Sequence, residues 1–131
     1  MATHPADAPG GDGAALYDLP AIARAALGKK PAWTQQTDDL NLNLISCIAG
    51  QGVDRHVNSE LDVLVVGISG EGFVEVDGHW HSLQLGQAVV IPKGASRATR
   101  CDRDHFAYLT CHRRRSGLWP QPQRRDDVGR Q

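Results

Sequence analysis

Hydrophobic and polar residues alternate with a period of two through most of the chain after residue 40. In the first such stretch, Leu40, Leu42 and Leu44 alternate with Asn41 and Asn43, as in a strand that presents successive side chains to opposite faces of a sheet. Further short strand-like stretches follow, separated by turns rich in Gly, Pro or Asp: 61–68, 73–76, 80–85, 88–91, 97–100 and 106–112. This pattern predicts an all-β sandwich or barrel.

One helix is predicted before these strands, over about residues 18–27. Asp18 is a favourable N-cap residue, Pro20 falls in the first turn, and Gly28 follows the last helical position. The apolar residues between these positions form one stripe: Leu19, Ile22, Ala23, Ala26 and Leu27. A helix with a single apolar stripe needs a larger surface to cover it, so we expect it to pack against the outside of the barrel.

The chain has the length of a single domain, since its 131 residues fall within the size typical of independent domains. Residues 1–14 are rich in Ala, Gly, Pro and Asp without apolar periodicity, which predicts a disordered segment. We expect one domain over 15–119, with the barrel at about 40–113, and a flexible basic tail at 120–131.

Composition and charge exclude several classes of partner. The net charge of −1 gives no general attraction to nucleic acid or anionic membranes, and no stretch approaches the roughly 18 apolar residues of a membrane span. The basic stretch 112–125 carries no nucleic-acid-binding motif and is interpreted as a solvated terminal segment. The three cysteines lie in apolar runs, where thiols are commonly structural. We therefore expect a cytoplasmic protein that binds neither nucleic acid nor membrane.

Glycine and proline positions between residues 50 and 94 carry a more specific signal. This order of turns, with the segments HVNSELDVL, GEGFVEVDG and IPKGASR, resembles the cupin superfamily of small RmlC-like jelly-roll barrels. It is also similar to small bacterial cupin proteins of unassigned activity. The positions that agree with the two cupin motifs are Gly50, His56, Gly70, Gly86, Pro92 and Gly94. The resemblance implies a cupin-type jelly-roll β-barrel and, because cupins of this size often pair through edge strands, a homodimer.

The cupin metal site implies a ligand set that this chain largely lacks. Cupins that bind a metal use two His side chains two residues apart, a Glu and a third His. Here His56 matches the first His, whereas Asn58, Val63 and Arg97 stand at the other three positions. An amide is a weak ligand, valine cannot ligate, and a guanidinium is a permanent cation. The resemblance therefore implies a degenerate site and no metal cofactor.

A shorter spacing of the first motif leaves an alternative ligand set open. It places Asp62 where the Glu would be, so that His56, Asn58 and Asp62 would bind a divalent transition metal. This alternative needs a compensating bulge, because Asp62 lies one residue farther from Gly70 than the family's Glu does.

The residues at the ligand positions suggest how an organic anion would be bound. Arg97 is expected to clamp a carboxylate or phosphate, with hydrogen bonds to the ligand from Asn58 and from Asn43 on the first predicted strand. His56 is the candidate catalytic acid or base. Structural explanations also remain open. His56 would then be held by hydrogen bonds to Asn58 or Arg97, and Arg97 would be paired with Asp62 or Glu60. Asn43 would lie on an exposed strand face.

Three functions follow from these assignments. The leading one is a metal-independent cupin that binds a small anionic molecule inside the barrel and, if catalytic, performs a proton transfer such as isomerisation, cyclisation or dehydration. The second is a metal-dependent enzyme that uses His56, Asn58 and Asp62. The third is a non-catalytic sensor or assembly module that contacts its partner through the basic tail.

Overall fold

The computed structural model describes residues 13–114 of the chain. Only Gly13 and Ala14 of the predicted disordered segment are described, and the predicted basic tail 120–131 lies outside this range. Within it, a helix precedes eight strands: α1 (Leu19–Ala25), β1 (Trp33–Gln36), β2 (Leu40–Ile48), β3 (Gly52–Val57), β4 (Val63–Val76), β5 (His79–Gln84), β6 (Ala88–Ile91), β7 (Ser96–Arg100) and β8 (His105–Arg113). Over the same residues, no helix is long and apolar enough to cross a membrane.

The strands form one antiparallel sheet that curls around an interior. Its order is β1-β2-β8-β4-β7-β3, and β5 and β6 pair with β4 outside this path. The first half of β4 pairs with β6 and β8, and its second half pairs with β5 and β7. Because β4 contributes to both halves of the sheet, it turns the sheet into a half-barrel. The predicted all-β barrel with a helix outside is confirmed.

The prediction of two strands at 61–68 and 73–76 is wrong, because β4 is continuous from Val63 to Val76. The residues between these two stretches have the Gly and Ser composition of a turn. In the structure, the ladder between β4 and β8 shifts its register between Gly67 and Ser69, and Gly70 adopts a φ of 65°. A bulge of this kind bends a strand and increases its twist without ending it.

Helix α1 packs on the outer face of the sheet through Ile22 and Ala23, which contact Leu44 and Ala107. The Ser46 hydroxyl fixes this contact by donating to the carbonyl of Ala23 at 3.1 Å. The helix is shorter than the predicted range. It ends at Ala25 because the next amide, at 26, donates to the carbonyl of residue 23 in a tighter turn.

A fully buried carboxylate, that of Glu75, lies on the second half of β4. Its oxygens accept hydrogen bonds from Arg55 Nε at 2.9 Å and from the amide of Gly78 at 2.6 Å. Burial alone would raise the pKa of Glu75, but the bonds from Arg55, Gly78 and Ser96 outweigh it and hold the pKa below its ordinary value. The charged form of Glu75 therefore stabilises the junction between β3, β4 and the hairpin that follows.

This arrangement predicts an acid-sensitive fold. A carboxyl group whose pKa is lower in the folded state adds stability above its unfolded pKa, and that stability is lost as the pH falls through the folded pKa. The contribution of Glu75 is thus present above about pH 4.5 and declines below it. In urea unfolding from about pH 6 to about pH 3, Glu75→Gln is expected to be less stable at the upper end and to lose less stability on acidification. Glu71→Gln, an exposed position on the same strand, is the control, and equal pH slopes in the two variants would contradict the assignment.

Candidate functional site

A cavity of about 460 Å³ lies inside the curled sheet. Its walls are mostly aliphatic: Ile45, Val53, Val63, Val65, Val74, Ile91 and Ala98. Its polar lining residues are Lys30, Asn43, His56, Arg97, Thr99, Tyr108 and Thr110. A concave, largely apolar space with a few convergent polar groups is the usual form of a small-molecule site.

His56 and Arg97 meet in this cavity because they are direct neighbours on paired strands. His56 of β3 lies opposite Arg97 of β7 in the antiparallel ladder, so their side chains project from the same face. Arg97 Nε donates to His56 Nε2 at 3.0 Å, and His56 Nδ1 lies 2.9 Å from the carbonyl oxygen of Asp54. In this arrangement Nε2 is the acceptor and Nδ1 the donor, which is the pattern of the imidazole tautomer with its proton on Nδ1.

The electrostatics of the cavity favour a negative ligand. Arg97 is only 7% exposed, and Lys30 is a second cationic residue of the lining. Among the described residues that line the cavity, none is Asp or Glu. A guanidinium carries several N–H donors in a planar fork that matches a carboxylate or phosphate. The cavity is thus a cationic site with apolar walls.

The two candidate asparagines lie in different environments. Asn43 lines the cavity from β2, on the face that strand alternation shares with Ile45. Asn58 is buried but is not among the lining residues. Its side-chain oxygen accepts hydrogen bonds from the amides of Glu60 and Leu61 at 2.9 and 3.1 Å. This bonding shapes the loop after β3, so the structure brings Asn43, but not Asn58, to the cavity beside His56 and Arg97.

The residues of the alternative metal site are engaged elsewhere. Asp62 accepts a hydrogen bond from the amide of Lys93 at 2.9 Å, Asn58 holds the loop after β3, and the lone pair of His56 Nε2 points to Arg97. Val63 forms part of the apolar wall. Within residues 13–114, no group of three or more His, Cys, Asp or Glu side chains is placed to hold a metal ion. The donor set present here does not fit a cupin metal.

Two polar features of the cavity have no counterpart in the sequence assignments. The Lys30 ammonium donates to the carbonyl of Gly52 at 3.0 Å. The Tyr108 hydroxyl and Thr99 Oγ1 are hydrogen-bonded at 2.9 Å, and burial raises the pKa of Tyr108, so its hydroxyl is neutral. The alternation of side chains along the predicted strand 106–112 is a signal that could have placed Tyr108 on the inner face of the sheet. Lys30 follows a helix and belongs to no periodic segment, so the sequence gives no signal for its position.

The buried cysteines do not form a nucleophilic site. Burial raises the pKa of Cys47 to about 11, and burial likewise raises the pKa of Cys101. Neither thiol lines the cavity, and a thiol rather than a thiolate is a poor nucleophile.

Comparisons with known proteins establish the fold. Neither a protein-family model nor a curated protein matches the chain. The solved structure of TT1209 from Thermus thermophilus is similar with a TM-score of 0.64 and 24% identity, over 75% of this chain and 95% of that one. A cupin protein from Bacteroides fragilis has a TM-score of 0.56 and 21% identity, over 65% and 74% of the two chains. The DMSP lyase DddQ from Ruegeria pomeroyi has a TM-score of 0.55 and 24% identity, over 63% of this chain and 42% of that one.

Proposed function

We propose that this chain, which has the cupin fold, binds a small organic anion in its barrel with Arg97 as the anchor. The observation that carries the proposal is the charge of the cavity: Arg97 and Lys30 line it, and no acidic side chain of the described residues does. Its volume of about 460 Å³ lies within the range of small-molecule sites. The apolar walls favour a ligand with a hydrocarbon body rather than a bare inorganic ion.

The reaction we propose, if the ligand is also a substrate, is a proton transfer at His56. A general base needs an available lone pair within hydrogen-bond reach of the substrate. In this structure the lone pair of His56 Nε2 accepts from Arg97. An anion that draws the Arg97 guanidinium to itself would release His56 Nε2 in the same movement. Binding at Arg97 would thus precede chemistry such as an isomerisation, cyclisation or dehydration. That a structural neighbour is named a lyase supports only the general idea that this fold hosts enzymes.

We propose further that binding does not depend on a metal. The argument is the chemistry of the donors, since Val63 and Arg97 occupy ligand positions and Asn58 and Asp62 bond backbone amides. Elemental analysis of protein purified without chelator or metal-affinity tag, next to His56→Ala, tests this. A metal present in equimolar amount and lost in the variant would restore the alternative with His56, Asn58 and Asp62.

A comparison of carboxylates with their primary amides tests the proposed function. Each pair has nearly the same shape and differs in charge, so a site built for an anion should bind only the acid. We expect binding of carboxylates with short apolar bodies, measured by calorimetry with a chelator present, and at least roughly tenfold weaker binding of the matched amides. Equal affinity for acid and amide, or no binding of any carboxylate or phosphate ester, would contradict the proposal.

The cytoplasmic location expected from the sequence also remains a proposal. Cys47, Cys101 and Cys111 are free thiols, and the first two are buried. Free thiols of this kind are typical of reducing compartments.

We propose that the chain forms a homodimer through the outer face of the first half of the sheet. Leu42, Cys111, Leu64 and Val90 lie side by side across four adjacent strands. This face is opposite the cavity, because Leu64 alternates with the lining residues on β4. Leu64 is 37% exposed and Val90 is 64% exposed. An uncharged apolar row can pair with its own copy across a two-fold axis.

Introducing a charge into this row should separate the subunits. In a two-fold interface each new carboxylate lies near its symmetry mate, so Leu64→Glu and Val90→Glu are each expected to shift the molar mass from dimer to monomer in light scattering. The control is Leu85→Glu, which changes a residue 67% exposed in the turn after β5. A wild-type monomer at about 100 µM, above the affinity range of most specific dimers, would contradict the homodimer.

A further inference from the structure

Lys30 lies where the two ends of the curled sheet approach each other. β1 and β3 are the terminal strands of the sheet order, and Lys30 belongs to the segment that leads into β1. Its ammonium donates to the carbonyl of Gly52, the first residue of β3, at 3.0 Å. The side chain thus crosses the seam between the ends of the sheet. It is also a lining residue of the cavity.

The two cations of the cavity occupy different environments. Arg97 is 7% exposed and is held by His56 inside the barrel, whereas Lys30 is an exposed residue. The two cationic residues of the lining therefore differ in exposure, and they share that lining with aliphatic side chains such as Val53 and Ile45. An ammonium has three donors, and the bond to Gly52 uses one of them.

We infer that the ligand carries two acidic groups joined by a short apolar body, one bound by Arg97 and the other by Lys30. This inference rests on the proposed function, to which it adds the substrate class: a dicarboxylate or an acid with a second anionic group. A monocarboxylate bound at Arg97 would have no second acidic group to pair with Lys30. The separation between the two charges would then select among dicarboxylates by chain length.

The size of the expected effect follows from the exposure of Lys30. Ion pairs at solvent-exposed sites contribute little and are screened by salt. We therefore expect the second carboxylate to improve binding by roughly fivefold at low ionic strength. The same preference should shrink as salt is added, whereas binding through the buried Arg97 should change less.

The experiment compares matched acids on the full chain. Butanoate, pentanoate and hexanoate are titrated against succinate, glutarate and adipate by calorimetry, with wild type, Lys30→Gln and Lys29→Gln. Glutamine removes the charge and retains an N–H donor, on a side chain one bond shorter than that of lysine. Lys29 is an adjacent exposed lysine that does not line the cavity. We expect Lys30→Gln to lose the preference for the favoured dicarboxylate, roughly fivefold, while its affinity for monocarboxylates stays within about twofold. Lys29→Gln should behave as wild type.

The outcomes of this experiment distinguish failure of the dicarboxylate inference from failure of the proposed function. Binding of monocarboxylates without preference for any dicarboxylate, or an equal loss of both classes in Lys30→Gln, would overturn this inference and leave the proposed function intact. The absence of binding by all six acids would overturn this inference, and the absence of binding by phosphate esters as well would overturn the proposed function. A preference for dicarboxylates that Lys30→Gln retains would show that another group binds the second charge, and would also overturn the inference.

Discussion

Replacing Arg97 with glutamine is expected to weaken the binding of small carboxylates by roughly 30- to 1,000-fold, about 2–4 kcal/mol. The guanidinium is almost completely buried, so its bonds to an anion would form away from water, where charge-assisted hydrogen bonds are strongest. Glutamine retains a donor that can reach His56 Nε2, which limits the structural damage to the pair. The affinity is measured by calorimetry at constant ionic strength.

Two further variants separate the role of charge from the role of geometry. Arg97→Lys keeps the positive charge but not the planar fork, and we expect it to lose roughly tenfold in affinity, less than the glutamine variant. Arg100→Gln is the matched control on the same strand, because Arg100 packs on the outer face between the rings of Phe73 and Trp80. Full affinity in Arg97→Gln would contradict the proposed anchor. An equal loss in Arg100→Gln would show that the effect is structural.

The fold was predictable from the sequence because its turns depend on local chemistry. The Asp77-Gly78 dipeptide predicts a tight hairpin, and both residues have positive φ in the structure, as this turn type requires. The bend in β4 was not predictable in the same way. Glycine and serine within a strand have the composition of a turn, and only the pairing of β4 with β8 on one side of the bend and with β5 and β7 on the other keeps the strand continuous.

The site was predictable only where it depends on strand register. The spacing of the two cupin motifs points to His56 and Arg97, and the ladder between β3 and β7 brings them together. Asn58 occupies a motif position too, but an asparagine beside a loop can bond nearby amides, and here it does. Lys30 could not be found from local pattern, because its approach to the cavity depends on how the segment after α1 crosses to β3.

Replacing Gly70 with alanine is expected to cause the largest loss of stability among the variants proposed here. Gly70 is one of the positions that agree with the cupin motifs. An alanine Cβ at this position would overlap the backbone carbonyl oxygen of His105, with the carbonyl carbon at 2.9 Å. β8 cannot retreat, because it is paired with β2 on its other side. The φ of 65° at Gly70 adds the ordinary strain of a left-handed residue, about 1–2 kcal/mol. We expect Gly70→Ala to lose about 3–5 kcal/mol in urea unfolding.

A glycine with the same backbone strain but no steric conflict supplies the control. Gly86 has a φ of 83°, and an added Cβ there would meet no atom within 4 Å. Gly86→Ala should therefore lose only the strain of about 1–2 kcal/mol, so that its melting temperature falls by roughly 4–8 °C, compared with about 15 °C for Gly70→Ala. Equal losses in the two variants would mean that the bulge at Gly67 and Ser69 absorbs the extra methyl group. In that case, close approach of β4 and β8 would not be the physical reason for glycine at this position, and backbone conformation alone would explain it.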